Sequence, residues 1–265
     1  MESSFETLHS KVPPTINDRA GIRPVFLEIC AGSAVLSFYI DSLSSQSVQV
    51  LPVDYHGNKH NPKVPVTKID LTEPSQLSIL RSLIATGSVV ASHIAPPCGT
   101  CSRAREIVMP GGPVPLRSEA CPLGLPDLSE VNEARVQQAN RVYDAIFLLI
   151  DDLNAVGSLI SIENPERSLF WWMPKTEALL KPPYSFADSI LQHCKYTMNR
   201  AMRPKWVRMR ASFEALAAIS GECSLNHVHL AWGRRASGEF VTAGESEYPP
   251  ELASNVAQIY LTEIR

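Results

Sequence analysis

The stretch that decides the fold is Val25-Phe26-Leu27-Glu28-Ile29-Cys30-Ala31-Gly32-Ser33-Ala34. Its first five residues form an apolar run broken only by Glu28, the length of a buried strand. Small residues follow, and residues 34–43 continue as an apolar, helix-like stretch. A strand that ends in small residues and opens a helix lets backbone N–H groups and the helix N-terminus approach a ligand closely. With Gly32 as its one glycine, the turn is equally readable as a tight connection without a ligand.

The same alternation repeats further along. Residues 48–53 read as a second strand ending at Asp54, and residues 64–69 as a weaker third ending at Asp70. Residues 77–84 look helical, and 88–94 form a fourth strand running into Ala95-Pro96-Pro97-Cys98. A long amphipathic helix covers 130–153, and a buried strand over 158–162 ends at Glu163-Asn164-Pro165. Residues 1–24 read as a polar arm, and the Pro- and Gly-rich residues 106–128 as a mobile loop or insertion. Alternating strands and helices imply an α/β fold with a mainly parallel sheet and right-handed crossovers. Ligands bind such sheets outside the carboxyl ends of the strands. Each polar feature singled out so far stands at such an end.

A chain of 265 residues can bury one substantial core with a small appendage. Its 45% apolar and 19% charged residues are those of a soluble globular protein. The longest apolar run, 145–150, is stopped by Asp151 and Asp152, well short of the roughly 18 residues of a membrane span. Glu2 and Glu6 with no apolar segment between them argue against a secretory signal. Six dispersed cysteines suggest free thiols in a reducing intracellular compartment, the nucleus in a eukaryote and the cytoplasm otherwise. A net charge of −3 excludes a wholly basic nucleic-acid coat and leaves room for local patches.

Asp54 closes the strand after the Gly32 turn, where an acid can accept hydrogen bonds from both ribose hydroxyls. Asp70 is similarly placed for an adenine amino group; either acid can instead cap the turn that follows it. Cys98 stands behind two stiffening prolines, with Arg103 and Arg105 nearby to favour a thiolate. A buried structural cysteine is the plainer reading of the same residue. Glu163 could donate a proton or anchor a heterocycle, or simply cap its turn or pair with Arg167.

In this order, Phe26-Leu27-Glu28, Gly32, Asp54, Asp70, Pro97-Cys98 and Glu163-Asn164 resemble the DNA (cytosine-5) methyltransferases. Tyr248-Pro249-Pro250-Glu251-Leu252-Ala253, ahead of an apolar helix, is similar to that family's last motif. The resemblance covers about residues 25–170 and 248–265. It implies a Rossmann-like methyltransferase fold with S-adenosylmethionine held by Phe26, Glu28, Cys30, Ala31, Gly32, Ser33, Asp54, Asp70 and Pro97. It implies a Cys98 nucleophile, with Glu163 and Asn164 at the target ring, acting on a flipped or single-stranded cytosine in DNA. RNA-directed relatives carry their nucleophile on the acid-motif loop, and no cysteine stands there in this chain. Ala34-Val35 replace a frequent pair of glycines, Pro165 replaces a usual valine, and only about residues 206–247 remain for target recognition. These departures suit a diverged cofactor- or nucleic-acid-binding module as an alternative to an active enzyme. A dinucleotide oxidoreductase shares the strand–turn–acid pattern, but it lacks G-x-G-x-x-G here and leaves Pro-Pro-Cys without a use.

Arg200, Arg203, Lys205, Arg208 and Arg210 follow one another without an acid between them, and Trp206 lies among them. Such a cluster, with Arg103 and Arg105, can neutralise phosphates while an aromatic ring stacks; it can equally be a solvated face. Cys194, Cys223, His227 and His229 offer the two sulfur and two nitrogen donors that zinc takes tetrahedrally. Packing of a small β subdomain would give the same pattern. Cys194-Lys195-Tyr196, His227-Val228-His229 and Tyr248-Pro249 are also similar to methyltransferase-like domains of eukaryotic retroelements. The expected organisation is an arm (1–24), a catalytic core (25–190), a small basic Cys/His subdomain (191–247) and a returning C-terminal helix (248–265).

Overall fold

The computed structural model describes residues 23–107, 112–197, 202–233 and 247–264. Its strands are β1 (Val25–Ile29), β2 (Gln49–Asp54), β3 (Thr67–Lys68), β4 (Val89–Ile94), β5 (Leu159–Pro165), β6 (Ala187–Gln192) and β7 (Trp206–Ala211). They form one sheet in the order β3-β2-β1-β4-β5-β7-β6. β1 to β5 run parallel, and β7 is antiparallel to both of its neighbours. This is the expected α/β class: a mainly parallel, Rossmann-like sheet flanked by helices. The helices are α1 (Val35–Ser44), α2 (Pro74–Ala85), α3 (Glu130–Ala155), α4 (Pro174–Ala178) and α5 (Pro250–Glu263). No helix among the described residues is long and apolar enough to cross a membrane.

Two apolar layers cover the sheet. Leu36 and Ile40 of α1 pack with Leu252, Val256 and Tyr260 of α5 over Phe26 and Val90. Leu80 and Ile84 of α2 and Ile146 and Ile150 of α3 pack over Leu27, Ile29 and Ile160. β1 alternates between these layers because successive side chains of a strand point to opposite faces. The chain moves outward from β1 to β3, then returns to place β4 on the other flank of β1. That reversal opens a crevice at the carboxyl ends of β1 and β4, the ligand position of open α/β sheets. The Cys30–Ala34 turn follows β1 and the Cys98 loop follows β4, so both border this crevice.

Two strands differ from their expected lengths. The third is only Thr67–Lys68, because Val53 and Asp54 at the end of β2 are its only partners. β5 runs through Glu163 and Asn164 to Pro165: after β4 stops pairing at Ile162, β7 continues the ladder opposite Glu163, Asn164 and Pro165. The expected basic subdomain begins inside β6, and Trp206–Ala211 is a strand of the main sheet. Residues 112–128, expected to be mobile, carry Arg117, which is 1% exposed and bound into the core.

Candidate active site

The first turn is shaped by left-handed backbone. Cys30, Gly32 and Ala34 have φ of 57°, 55° and 51°. Ala34 thus adopts a conformation that glycine takes at lower cost. Asp54 faces this turn: its Oδ2 accepts from Gly32 N at 2.8 Å and Asn58 Nδ2 at 2.9 Å, and Oδ1 accepts from Tyr55 N at 2.8 Å. Asn58 Nδ2 also donates to Gly32 O at 2.8 Å, and Lys63 N donates to Ser33 O at 2.8 Å. Residues 55–63 therefore fold across the turn. Ala31 N donates to Val53 O, joining the turn to β2.

The other residues expected at the cofactor have varied surroundings. Glu28 is buried in β1, where its Oε2 accepts from Ser37 N in α1 at 2.8 Å. Burial raises its carboxyl to about 7, against the hydrogen bond from Ser37. Asp70 accepts from both Thr72 N and Thr72 Oγ1, so it caps the turn before α2. Phe26 lies in the core: it is 0% exposed and packs edge-on to Tyr260, with ring centroids 5.1 Å apart. It stands near the start of β1, whereas the crevice lies at the other end.

The loop after β4 is held from several directions. Asn164 Nδ2 donates to Pro96 O at 2.9 Å, and Tyr143 of α3 donates to Pro97 O at 2.6 Å. Arg117 donates to Thr100 Oγ1 at 3.0 and 3.2 Å, to Pro122 O at 2.7 Å and to Asn140 Oδ1 at 2.8 Å. Arg105 donates to Gly99 O at 2.7 Å and Val114 O at 3.2 Å. Cys98 is half-buried on this braced loop, whereas Cys101 is fully buried and contacts Tyr143. Cys101 is thus the structural cysteine of the pair.

Cys98, Glu163 and Lys205 interact electrostatically in one place. Burial raises the Cys98 thiol above its usual value; the Glu163 charge adds to this and the Lys205 ammonium opposes it. Burial also raises Glu163, against Lys205 and a hydrogen bond from Tyr248. Glu163 Oε1 and Asn164 Oδ1 are buried without a hydrogen-bond partner among the described residues. Buried acceptors are costly to leave unmet, so they mark a place for a donor-bearing ligand. Lys205, expected at phosphates, is half-buried beside Cys98; its carbonyl accepts from His193 N at 2.9 Å. The cation acting on Cys98 is Lys205, while Arg103 is engaged with Glu106, Glu119 and Arg167 O.

A buried polar band lies behind Glu163. Tyr248, which hydrogen-bonds Glu163, also meets His93 Nε2 at 2.8 Å. His93 Nδ1 meets Ser161 Oγ at 2.7 Å, and Tyr260 donates to both Ser161 Oγ and Ser92 O. Burial depresses His93 to about 3, so the ring is neutral. Glu28, His93 and Ser161 stand in register across β1, β4 and β5. The sequence signal for this band is that polar residues interrupt three buried runs: Glu28 in β1, Ser92 and His93 in β4, and Ser161 in β5.

The remaining basic residues are largely committed internally. Arg210 is 1% exposed, pairs with both oxygens of Asp188 and lies 5.0 Å over the Trp171 ring. Arg208 reaches Asp188 at 3.2 Å and Glu166 at 3.7 Å. Arg203 donates to Ala231 O at 2.9 Å, and Arg200 lies outside the described residues. The donor atoms of Cys194, Cys223, His227 and His229 gather within 4.8 Å of one another.

No family model matches the chain, and no curated protein matches its sequence. Among solved structures, it is similar to a Spodoptera frugiperda DNMT2 mutant at 15% identity, covering 71% of this chain and 49% of that one, with a TM-score of 0.40. It is similar to S. pombe Dnmt2 methyltransferase at 12% identity, covering 72% and 51%, with a TM-score of 0.41. A third is the Entamoeba histolytica methyltransferase EhMeth, at 15% identity, 72% and 54% coverage and a TM-score of 0.43. The chain spans about half the length of these proteins.

Proposed function

We propose that this chain is an S-adenosylmethionine-dependent methyltransferase acting on carbon 5 of cytosine in DNA through a covalent adduct with Cys98. The observation that carries this reading is that Asn164, next to the buried Glu163, holds Pro96 of the Cys98 loop at 2.9 Å. This brings the thiol and the carboxyl to neighbouring strand ends, with the Lys205 charge acting on both. A thiol nucleophile, a buried carboxyl and a cation are the groups needed to add to a pyrimidine ring and manage its charge.

The chemistry of the donor set suits S-adenosylmethionine. Asp54 and Asp70 are acceptors at neighbouring strand ends, matching the cofactor's ribose hydroxyls, adenine amino group and ammonium. Gly32 keeps the turn bare: a Cβ there would meet only the His60 ring, at 3.7 Å. Asn58 now makes, on Asp54 and Gly32 O, contacts that a ligand hydroxyl or ammonium would make. Asp54 and residues 31–33 would hold the ribose and amino-acid end, and Asp70 the adenine. When bound, S-adenosylmethionine supplies an electrophilic methyl group.

The chain's own residues do the rest. A proton passes from the Cys98 thiol to Glu163, whose burial favours the acid, and Lys205 favours the thiolate left behind. Cys98 Sγ adds to ring carbon 6, the 5,6 double bond opens, and Glu163 donates its proton toward ring nitrogen 3 as charge builds there. Carbon 5, now nucleophilic, takes the methyl group. Loss of the carbon-5 proton to a solvent base and departure of the Cys98 thiolate restore the double bond, and the proton on ring nitrogen 3 returns to the Glu163 carboxylate. Asn164 orients the nucleophile through Pro96 O. A stacked base is out of reach, so the target is extruded or single-stranded.

DNA containing 5-fluorocytosine tests this, because fluorine cannot leave carbon 5 as the proton does. A denaturation-resistant adduct that requires S-adenosylmethionine and is absent in Cys98→Ala is expected. An adduct only with RNA of the same sequence would move the substrate to RNA. No adduct with either nucleic acid, or one that persists in Cys98→Ala, would overturn the reading.

A further inference from the structure

We infer that Cys194, Cys223, His227 and His229 bind one structural zinc ion that anchors the segments around Lys205. The inference is independent of the chemistry proposed at Cys98.

All four donor atoms lie within 4.8 Å of one another. His229 Nε2 stands 3.5 Å from Cys194 Sγ and 3.2 Å from Cys223 Sγ. With zinc–sulfur and zinc–nitrogen bonds of about 2.3 and about 2.0 Å, a sulfur and a nitrogen of one tetrahedron stand about 3.5 Å apart. The two sulfur–nitrogen spacings at His229 are those of ligands around a common centre, and the remaining donors are gathered closely enough to close on the same ion.

Hydrogen bonding alone accounts poorly for the cluster. An imidazole nitrogen offers one lone pair or one N–H, so it satisfies one thiol at a time. Here two sulfurs converge on the same nitrogen. His227 adds a second sign: its Nε2 is buried with no partner among the described residues, while Nδ1 lies 3.2 Å from Asn226 Oδ1. A ring fixed through Nδ1, with Nε2 left for the ion, is the usual arrangement of a metal-bound histidine. Both sulfurs are buried, and no carboxylate belongs to the group. Two sulfurs and two nitrogens select zinc over calcium or magnesium, which prefer oxygen.

The four ligands come from segments with little core of their own. Cys194 lies in the short turn His193–Tyr196 after β6. Cys223 follows Gly221, which bridges to Leu191, and its N–H donates to Gln192 Oε1 at 2.8 Å. His229 bridges to Met202, just ahead of β7. One ion thus ties the end of β6, the 221–223 segment and the entry to β7. His193, next to Cys194, donates its N–H to Lys205 O and packs against Tyr248, so the anchored turn borders the candidate active site. A metal supplies folding free energy where apolar burial is thin.

Elemental analysis of the purified full chain should find about one zinc ion per chain, released when the thiols are modified with a mercurial. Replacement by cobalt should give the intense visible absorption of a tetrahedral centre together with thiolate-to-cobalt charge-transfer bands. Cys223→Ser and His229→Ala should lose the metal, whereas Cys121→Ser, a half-buried cysteine elsewhere, should keep it. If those ligand variants fail to fold, the cobalt spectrum and the loss of thermal stability on chelation decide on the unaltered chain. Metal-free protein with no cobalt thiolate spectrum and no response to chelator would overturn the inference. A Cys194–Cys223 disulfide in the non-reduced intact mass would overturn it as well.

Discussion

The Tyr248 hydroxyl lies 2.8 Å from Nε2 of His93, joining residues 155 positions apart in the chain. Tyr248 stands at the foot of α5, and His93 is a fully buried residue of β4. Through this contact the C-terminal helix reaches the polar band that backs Glu163. Tyr248→Phe removes the hydroxyl and leaves His93 Nε2 unmet, at a cost of about 1–3 kcal/mol by urea denaturation. Because Tyr248 lowers Glu163, its loss should also move the Glu163 limb of a pH–rate profile to higher pH. A profile that does not move would separate Tyr248 from Glu163.

Glu28 gives a pH-dependent stability term of defined sign. Its carboxyl is raised from 4.5 to about 7 in the folded chain. Between these values the folded state holds a proton that the unfolded state has released. The stabilisation is complete below about 4.5 and is lost as pH rises through about 7. Glu28→Gln keeps an acceptor for Ser37 N and removes the titration. The variant should therefore gain on the parent between pH 5 and pH 8, by on the order of 3 kcal/mol. Urea midpoints of both proteins at the two pH values check this, and subtracting them cancels the opposite trend from His93.

Arg117 should behave as a core residue despite its charge. Its guanidinium spreads over Thr100, Pro122 and Asn140 and lies 5.6 Å over the Tyr143 ring. Arg117→Met leaves several buried acceptors unmet and should cost about 3 kcal/mol. Arg117→Lys should not rescue it, because one ammonium cannot meet acceptors spaced for a planar fork. Since Thr100 belongs to the Cys98 loop, iodoacetamide should alkylate Cys98 faster in the variant. An unchanged rate would mean that the loop keeps its shape without Arg117.

Asn58 and His60 lie where the proposed cofactor would meet Gly32 and Asp54. Asn58→Ala frees both Gly32 O and one site on Asp54. If the segment competes with the ligand, calorimetry should show S-adenosylmethionine binding several-fold more tightly to this variant. Weaker binding would instead make Asn58 part of the cofactor site.

Much of the fold is legible in the chain because buried parallel strands are continuous apolar runs. β1, β2, β4 and β5 begin within one residue of the stretches read from sequence. The Cys98 loop and Glu163 follow from the same reading, since polar residues at strand ends stand out against those runs. The basic stretch was less legible. Composition made Arg208 and Arg210 a surface for phosphates, yet Asp188, on the neighbouring strand, draws both into pairs beside Trp171. Nothing local distinguishes a solvated arginine from one whose partner arrives by strand pairing.

The sequence by itself determined the alternation of strands and helices, the small-residue turn at Gly32, and the nucleophile and acid candidates Cys98 and Glu163. Each depends on residue type and short-range spacing, which the chain carries locally. Only the tertiary structure decided that Lys205 is the cation beside Cys98, that Tyr248 and His93 back Glu163, and that Arg117 braces the loop between them. Those contacts depend on which strands become neighbours, and that is settled by burying both faces of the whole sheet at once.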